Sequence, residues 1–106
     1  MQYLVEAENI DGLVQMKDVP DYVSGLVLPS YEMLIKMEED GIIKGGLIAG
    51  QRAGVFVINA DSNDDLGKKL KSLPFWGMVK WKTTALQSFK SALEQDRDLV
   101  QAFEGN

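Results

Sequence analysis

The chain contains neither cysteine nor histidine in its 106 residues. The absence of cysteine excludes disulfides, thiolate nucleophiles and sulfur-ligated metal sites. The absence of histidine removes the usual general base at neutral pH and the commonest metal ligand. It also leaves no histidine to ligate haem. We therefore expect no metal site, and any catalysis must use other side chains.

Positive charge and long apolar runs are also scarce. Sixteen acidic residues outnumber eleven basic ones, for a formal net charge of −5, and no cationic run is present that would neutralise a phosphate backbone. No apolar stretch approaches the roughly 20 residues needed to cross a bilayer. The opening segment carries Glu6 and Glu8 where a signal peptide would need a basic start. The sequence predicts a soluble, cytoplasmic protein with neither a nucleic-acid nor a membrane partner.

Length and composition predict one domain over residues 1–106. Domains of roughly 100–150 residues are the commonest size and bury enough surface to fold alone. With 45% hydrophobic and 25% charged residues, the composition is ordinary for a globular protein. Neither a second core nor a disordered segment is expected.

Hydrophobic periodicity and turn residues place six elements in the first four fifths of the chain. They are a strand over Met1–Glu8, a helix over Ser30–Asp40, strands over Ile42–Ala49 and Ala53–Ala60, a helix from the Asp61–Asp65 run to Pro74, and a strand over Phe75–Thr84. Asn9–Leu28 is predicted to be a loop that leaves room for one helical turn, because Gly12, Pro20 and Gly25 interrupt it. A C-terminal helical extension is predicted over 86–104. Its apolar stripe consists of Leu86, Phe89, Leu93, Val100 and Phe103, with Asp96 as an interruption.

The order strand, helix, strand, strand, helix, strand predicts an α+β fold of the ferredoxin-like βαββαβ type, with an antiparallel four-stranded sheet. Right-handed crossovers place both helices on one face of the sheet. The other face is expected to present Leu4, Trp76 and Met78, and an apolar patch of this kind normally has a partner. We therefore expect a homodimer or a higher homo-oligomer whose sheets pack face to face around a cavity. The C-terminal helix would reach over the neighbour.

Motifs in the middle half of the chain resemble the muconolactone isomerase family. They are Glu39-Asp40-Gly41, Ala49-Gly50-Gln51-Arg52-Ala53-Gly54-Val55-Phe56, Asp61-Ser62-Asn63-Asp64-Asp65-Leu66, Leu73-Pro74-Phe75 and Thr84-Ala85-Leu86. The resemblance implies a dimeric α+β barrel with pockets for small molecules, and an isomerase that needs no cofactor. The implied reaction is a proton shift next to the carbonyl of a lactone or small organic acid.

Two other functions remain open. One is a non-catalytic oligomeric domain that binds a small ligand or another protein, which the missing histidine and the added terminal helix favour. The other is a cofactor-free monooxygenase of the same superfamily. The chain also departs from the family pattern, because Gln51 follows Ala-Gly where a basic residue is usual, and Lys80 and Lys82 stand where acidic residues are usual.

Glu6 and Lys80 are the candidate catalytic residues. Glu6 lies near the centre of the first strand and is expected to point to the barrel interior. An apolar pocket there would raise the pKa of its carboxyl toward neutrality, which suits a general base. Lys80 would stabilise an enolate or hold a substrate carboxylate. The alternative for both is a solvated position or a structural ion pair.

Five further residues are candidates for substrate binding. Leu4, Trp76 and Met78 would form a wall for a ring-shaped ligand, although core or dimer packing explains the same pattern. Arg52 in the hairpin turn would anchor an anion or lie exposed in solvent. Tyr22 falls in the predicted loop, from which it would close over a pocket.

Overall fold

The computed structural model describes residues 1–105, and its centre is a four-stranded antiparallel sheet. The strands are β1 (Gln2–Asn9), β2 (Ile43–Leu47), β3 (Ala53–Asn59) and β4 (Val79–Leu86), in the spatial order β2-β3-β1-β4. Strand β1 pairs antiparallel with both β3 and β4. This order confirms the predicted ferredoxin-like α+β fold.

The segment before β2 is helical over most of its length. It consists of a 3-10 turn (Met16–Asp18), α1 (Val19–Tyr22), a π-helical turn (Val23–Val27) and α2 (Leu28–Glu39). The prediction of a loop over Asn9–Leu28 is therefore wrong for its second half. Pro20 lies in the first turn of α1, where the missing N–H breaks no helical hydrogen bond, so it starts the helix rather than interrupting it.

Two more helices follow, each with a serine N-cap. They are α3 (Asn63–Lys71) and α4 (Phe89–Glu104). The Ser62 side chain accepts the N–H of Asp65 at 3.1 Å, and the Ser88 side chain accepts the N–H of Ser91 at 3.1 Å. Such caps satisfy backbone donors that have no partner within the helix.

Alternation along the strands decides which side chains form the core. Tyr3 and Val5 of β1 are buried, as are Ile58 and Phe56, which lie opposite them on β3. Leu66, Leu70 and Leu73 pack on this group from α3 and the turn that follows it. The core therefore lies between the sheet and the helices, on one face of the sheet. The other face is left open.

The fourth strand begins later than its alternation predicts. Trp76–Met78 form a 3-10 turn, and β4 starts at Val79. The N–H groups of Trp76 and Met78 donate to the carbonyls of Leu73 and Phe75 rather than to a neighbouring strand. The predicted placement of Trp76 and Met78 on the open face beside Leu4 is consequently wrong.

Ser30 ties α2 to this turn. It is a polar side chain with no exposed surface. Its hydroxyl donates to the carbonyl of Leu26 at 2.6 Å and accepts the N–H of Phe75 at 3.0 Å. Both hydrogen-bonding capacities of a buried hydroxyl are thus used, as buried polar groups require.

Helix α4 extends away from the rest of the chain. None of its sixteen described residues is buried, and Phe89 and Phe103 are 96% and 74% exposed. The described chain measures 69 × 27 × 25 Å with a radius of gyration of 18.4 Å, whereas a compact domain of this length has a radius of about 13 Å. The apolar stripe predicted from the sequence therefore faces solvent. Over residues 1–105, no helix is long and apolar enough to span a membrane.

Candidate functional site

A cavity of about 520 Å³ lies between the helical segment and the sheet of one chain. This volume is typical of sites for small molecules. The sequence predicts a cavity on the open face, between the sheets of two subunits. The structure places this cavity on the opposite face, where the helices of the same chain cover it.

Small residues in three strands make room for the cavity. Ala7 of β1 lies directly opposite Gly54 of β3, and Gly45 of β2 lies opposite the buried Phe56. All of these residues line the cavity. Because Ala7 and Gly54 share the helix-covered face of the sheet, larger side chains at these two positions would take up part of the space. At Gly45 a side chain would instead meet the backbone of β3.

One stripe of the helical segment forms the opposite wall. From Val23 onward its members recur at a spacing of three or four residues, which places them on one side of the helical segment. They are Tyr22, Val23, Val27, Tyr31, Leu34 and Glu38. Glu38 is the acidic residue that ends this otherwise apolar and aromatic stripe. The sequence contains this helical spacing, but the prediction of a loop over Asn9–Leu28 covers its first part, so the stripe was not predicted.

Three aromatic rings form a connected group along the cavity. Tyr31 and Phe75 meet edge to face, with centroids 6.3 Å apart, and Phe75 and Trp81 follow at 6.2 Å. The indole N–H of Trp81 donates to the carbonyl of Trp76 at 3.0 Å, which fixes the ring. Edge contacts of this kind stabilise aromatic pairs beyond their area of burial. The result is an aromatic, apolar wall whose rings stand at steep angles to one another, 88° for the first pair and 62° for the second.

Polar groups meet where β1 ends. The Tyr22 hydroxyl donates to Oδ1 of Asn9 at 3.2 Å, and the N–H of Asn9 donates to the carbonyl of Arg52 at 2.9 Å. Burial raises the pKa of the Tyr22 phenol, and Tyr31 adds to the increase while Arg52 opposes it. The phenol therefore stays protonated at neutral pH, and its single O–H, which donates to Asn9, can donate to a ligand only by turning away from Asn9.

Two residues predicted from the sequence, Tyr22 and Arg52, line the cavity. Glu6, Lys80 and Leu4 do not, because alternation along β1 and β4 turns them to the open face. The structure thus separates the predicted catalytic pair from the cavity. A catalytic role for Glu6 and Lys80 stays a prediction that requires a second site on the open face.

The surroundings of Glu6 are those of an exposed ion pair. Its carboxylate lies 3.7 Å from Nζ of Lys82, the residue opposite it on β4, and both side chains are largely exposed. Lys80 lies opposite Glu8 in the same ladder. Exposed pairs of this kind contribute little to stability.

Trp76 and Met78, the remaining predicted binding residues, lie in the turn before β4. The Nζ of Lys71 lies 5.7 Å from the ring centroid of Trp76, so this indole takes part in a surface cation–π contact. Neither residue lines the cavity. Within residues 1–105, no cluster of three or more acidic side chains is arranged to hold a metal ion.

Comparisons with known proteins bear on the fold. No protein-family model and no curated protein sequence matches the chain. Muconolactone isomerase, a solved structure, superposes with a TM-score of 0.68 at 18% identity, covering 86% of this chain and 93% of that one. The 5-chloro-2-hydroxyhydroquinone dehydrochlorinase TftG from Burkholderia phenoliruptrix AC1100, in complex with 2,5-dihydroxybenzoquinone, gives 0.57 at 16%, covering 85% and 97%.

At these identities the similarity establishes a common fold and leaves the chemistry to be argued from the residues. The chain is structurally similar to muconolactone isomerase, as the sequence motifs predict. The coverage also shows that almost the whole of each solved chain has a counterpart here.

Proposed function

We propose that the protein is a cofactor-independent enzyme that binds a small ring-shaped lactone or organic acid in this cavity and moves a proton next to its carbonyl group. The main support is an aromatic-walled cavity inside one chain, with a phenol, a guanidinium and a carboxylate at its edges. The names of the two similar structures, an isomerase of a lactone and a dehydrochlorinase bound to a quinone, agree with a small cyclic ligand.

Three side chains have roles in this proposal. Arg52 holds a ligand carboxylate, because a guanidinium matches the two oxygens of that group. The O–H of Tyr22 turns from Asn9 and donates to the carbonyl oxygen of the ligand, where negative charge develops when the neighbouring carbon loses its proton. Glu38 removes that proton and returns it to another carbon of the same conjugated system. No cofactor enters this scheme, since the proton stays within one base and one ligand.

This scheme differs from the roles inferred from sequence alone. Those roles give the base to Glu6 and the anion contact to Lys80, both on the open face. A ligand held there would lie between two sheets rather than under the helices. The two sites share no proposed catalytic side chain, so substitutions can distinguish between them.

Replacing Arg52 by alanine is expected to weaken binding of benzoate, a small aromatic carboxylate, by about tenfold to a hundredfold, the range for losing hydrogen bonds to a charged group. Binding is followed through the indole N–H of Trp81, which lies on the cavity wall, in NMR spectra of the labelled protein. Lys80→Ala is the matched control, because it removes a cation from the open face and should leave binding unchanged. The reverse pattern would locate the site between two sheets.

Replacing Glu38 by glutamine is expected to abolish exchange of ligand protons with solvent while leaving benzoate binding nearly intact. Muconolactone is the first substrate to test, in heavy water, with deuterium incorporation measured by mass spectrometry. Loss of the base should lower the exchange rate by about a hundredfold or more. Glu6→Gln is the control and should keep the original rate. If only Glu6→Gln stops exchange, the assignment of the base to Glu38 is wrong.

A non-catalytic binding protein is the second candidate, and the absence of histidine favours it. It makes a different prediction for the same experiment. Benzoate would still bind beside Trp81, whereas neither muconolactone nor related lactones would incorporate deuterium above the rate without protein.

A further inference from the structure

The cavity is larger than a single ring needs. An apolar cavity of about 150 Å³ is enough to hold one benzene molecule, whereas the cavity under the helices measures about 520 Å³. A one-ring acid such as benzoate would therefore leave more than half of the space without contacts to the ligand. Because buried apolar contact is the main source of affinity for such a ligand, the volume favours a ligand of two or three rings.

One row of residues across the sheet forms the floor of the cavity. Leu47 of β2 lies opposite Gly54 of β3. Gly54 lies opposite Ala7 of β1, which in turn lies opposite Trp81 of β4, and all four residues line the cavity. Neighbouring strands are about 4.8 Å apart, so the backbones at Leu47 and Trp81 are separated by roughly 14 Å. Only a glycine and an alanine lie between these two larger side chains.

The floor begins beside the proposed contact for a carboxylate. The N–H of Asn9 donates to the carbonyl of Arg52, which places Arg52 next to the end of β1. Ala7 is two residues further into the strand, roughly 7 Å away. A single ring whose carboxylate binds Arg52 would end near Ala7. Further rings would lie over Ala7 toward Phe56, a buried residue that lines the cavity one row further on.

The two small floor residues do not leave equal space. A methyl group at Gly54 would lie 3.2 Å from Cδ2 of Leu47, so the Leu47 side chain leans over this glycine. Leu47 is 56% exposed, and an exposed side chain can change rotamer when a ligand enters. Ala7 is therefore the floor position at which an added side chain would most directly remove space for a ring.

We propose that the cavity binds a flat acid of two or three fused rings, and that Ala7 sets the number of rings by keeping the floor low between Leu47 and Trp81. This inference rests on the proposed function, because it takes Arg52 as the carboxylate contact. It narrows the ligand from ring-shaped acids in general to acids with fused rings. A lactone fused to further rings has the same kind of carbonyl group, so the proton shift is unchanged.

Carboxylates that differ in ring number test the size of the site. Benzoate, naphthalene-2-carboxylate and anthracene-2-carboxylate are titrated into the isotope-labelled protein, and the indole N–H of Trp81 reports binding. Each added ring should tighten binding about tenfold, the effect of burying the apolar edge of one more ring. An affinity that stays level or falls as rings are added would overturn the inference.

Two acids with the same number of carbon atoms as naphthalene-2-carboxylate test the shape of the site. Adamantane-1-carboxylate is globular and cannot lie flat on the floor, and undecanoate is a flexible chain that loses rotational freedom on binding. Both should bind about tenfold more weakly than the naphthalene acid. Tighter binding of undecanoate would mean that the ligand is a chain. Equal binding of all three acids would mean that the cavity does not recognise ring shape, and either result contradicts the proposal.

Graded substitutions at Ala7 test its role in specificity. Ala7→Leu should remove the gain from the second and third rings and change benzoate binding little. Ala7→Val adds less bulk and suits a strand, so it should weaken binding of the anthracene acid most. Retained benzoate binding shows that a variant is folded. If both variants keep the full gain from added rings, or lose all three acids equally, Ala7 does not set the ring number.

Val55→Leu is the matched control for these substitutions. Val55 follows Gly54 on β3 but faces the open side of the sheet, where it lies opposite Glu6. The added bulk is therefore outside the cavity, and the affinities for all three aromatic acids should stay as in the unmodified protein.

The outcomes separate this inference from the proposed function. If benzoate binds and requires Arg52 but added rings give no gain, the carboxylate site stands and the ring number is wrong. If affinity rises with ring number but Arg52→Ala changes nothing, the floor binds fused rings and the anion contact of the proposed function is wrong. If none of the acids shifts the Trp81 signal, both proposals fail.

Discussion

Replacing Gly45 by alanine is expected to lower the free energy of unfolding by about 3–4 kcal/mol, at the severe end for a single substitution. A Cβ at this position would lie 2.5 Å from Cα of Phe56 and closer still to the carbonyl oxygen of Val55. Both atoms belong to the backbone of β3, so no change of rotamer relieves the clash. The φ angle of +153° adds strain for any residue with a side chain.

Gly46 supplies the matched control one residue further along β2. A Cβ there would have no heavy atom within 4 Å, and its φ angle is not positive. Gly46→Ala is therefore expected to change stability by no more than about 0.5 kcal/mol. Urea denaturation followed by circular dichroism measures both variants. Equal losses for the two alanines would show that the close approach of β2 to Phe56 is wrong.

Replacing Ile58 by alanine is expected to cost about 3–4 kcal/mol of stability, through lost burial and the void that remains. Ile58 is 1% exposed and lies between Tyr3 of β1 and Ile43 of β2 in the sheet. Its neighbours come from two strands and from α3, so none of them can collapse fully into the space. Urea midpoints and slopes give the change in free energy.

Val55 is the control on the same strand. It points to the open face and is partly exposed, so Val55→Ala should cost less than about 1 kcal/mol. A loss at Val55 as large as that at Ile58 would contradict the assignment of the core to the helix-covered face. It would indicate instead that the open face is buried by another subunit under the conditions of the measurement.

The sheet and its faces could be predicted because successive side chains of a strand point to opposite faces, so the hydrophobic pattern has a period of two residues. The hydrophobic residues Tyr3 and Val5 alternate with the polar residues Gln2 and Glu6, as a sheet that is covered on one face requires. The helical start at Val19 could not be predicted as easily, because Pro20 is a breaker inside a helix but a favourable residue in its first turn. Trp76 continues the alternation of β4 into a 3-10 turn, so periodicity alone does not locate the first strand residue.

The cavity depends on contacts that no local pattern displays. Ala7, Gly45 and Gly54 come from three different strands, and only the register brings them together. Glycine weakens a strand as a local pattern, whereas here Gly45 allows β2 to approach the backbone of Phe56 closely. Tyr22 and Arg52 were accessible to sequence reasoning because an aromatic residue and a cation in connecting segments are frequent ligand contacts. Glu38 could not be assigned to the cavity from the sequence, because its place there depends on the continuous helical stripe that the structure shows.

The π-helical turn at Val23–Val27 sets the rotational phase between Tyr22 and the lining residues of α2. Each residue of a helix advances the side-chain direction by about 100°. One residue fewer in this turn would therefore swing the Tyr22 phenol away from Asn9 while leaving α2 in place. The segment should accept changes of residue type at its exposed positions, but its length is fixed by the need to keep that phenol aimed into the cavity.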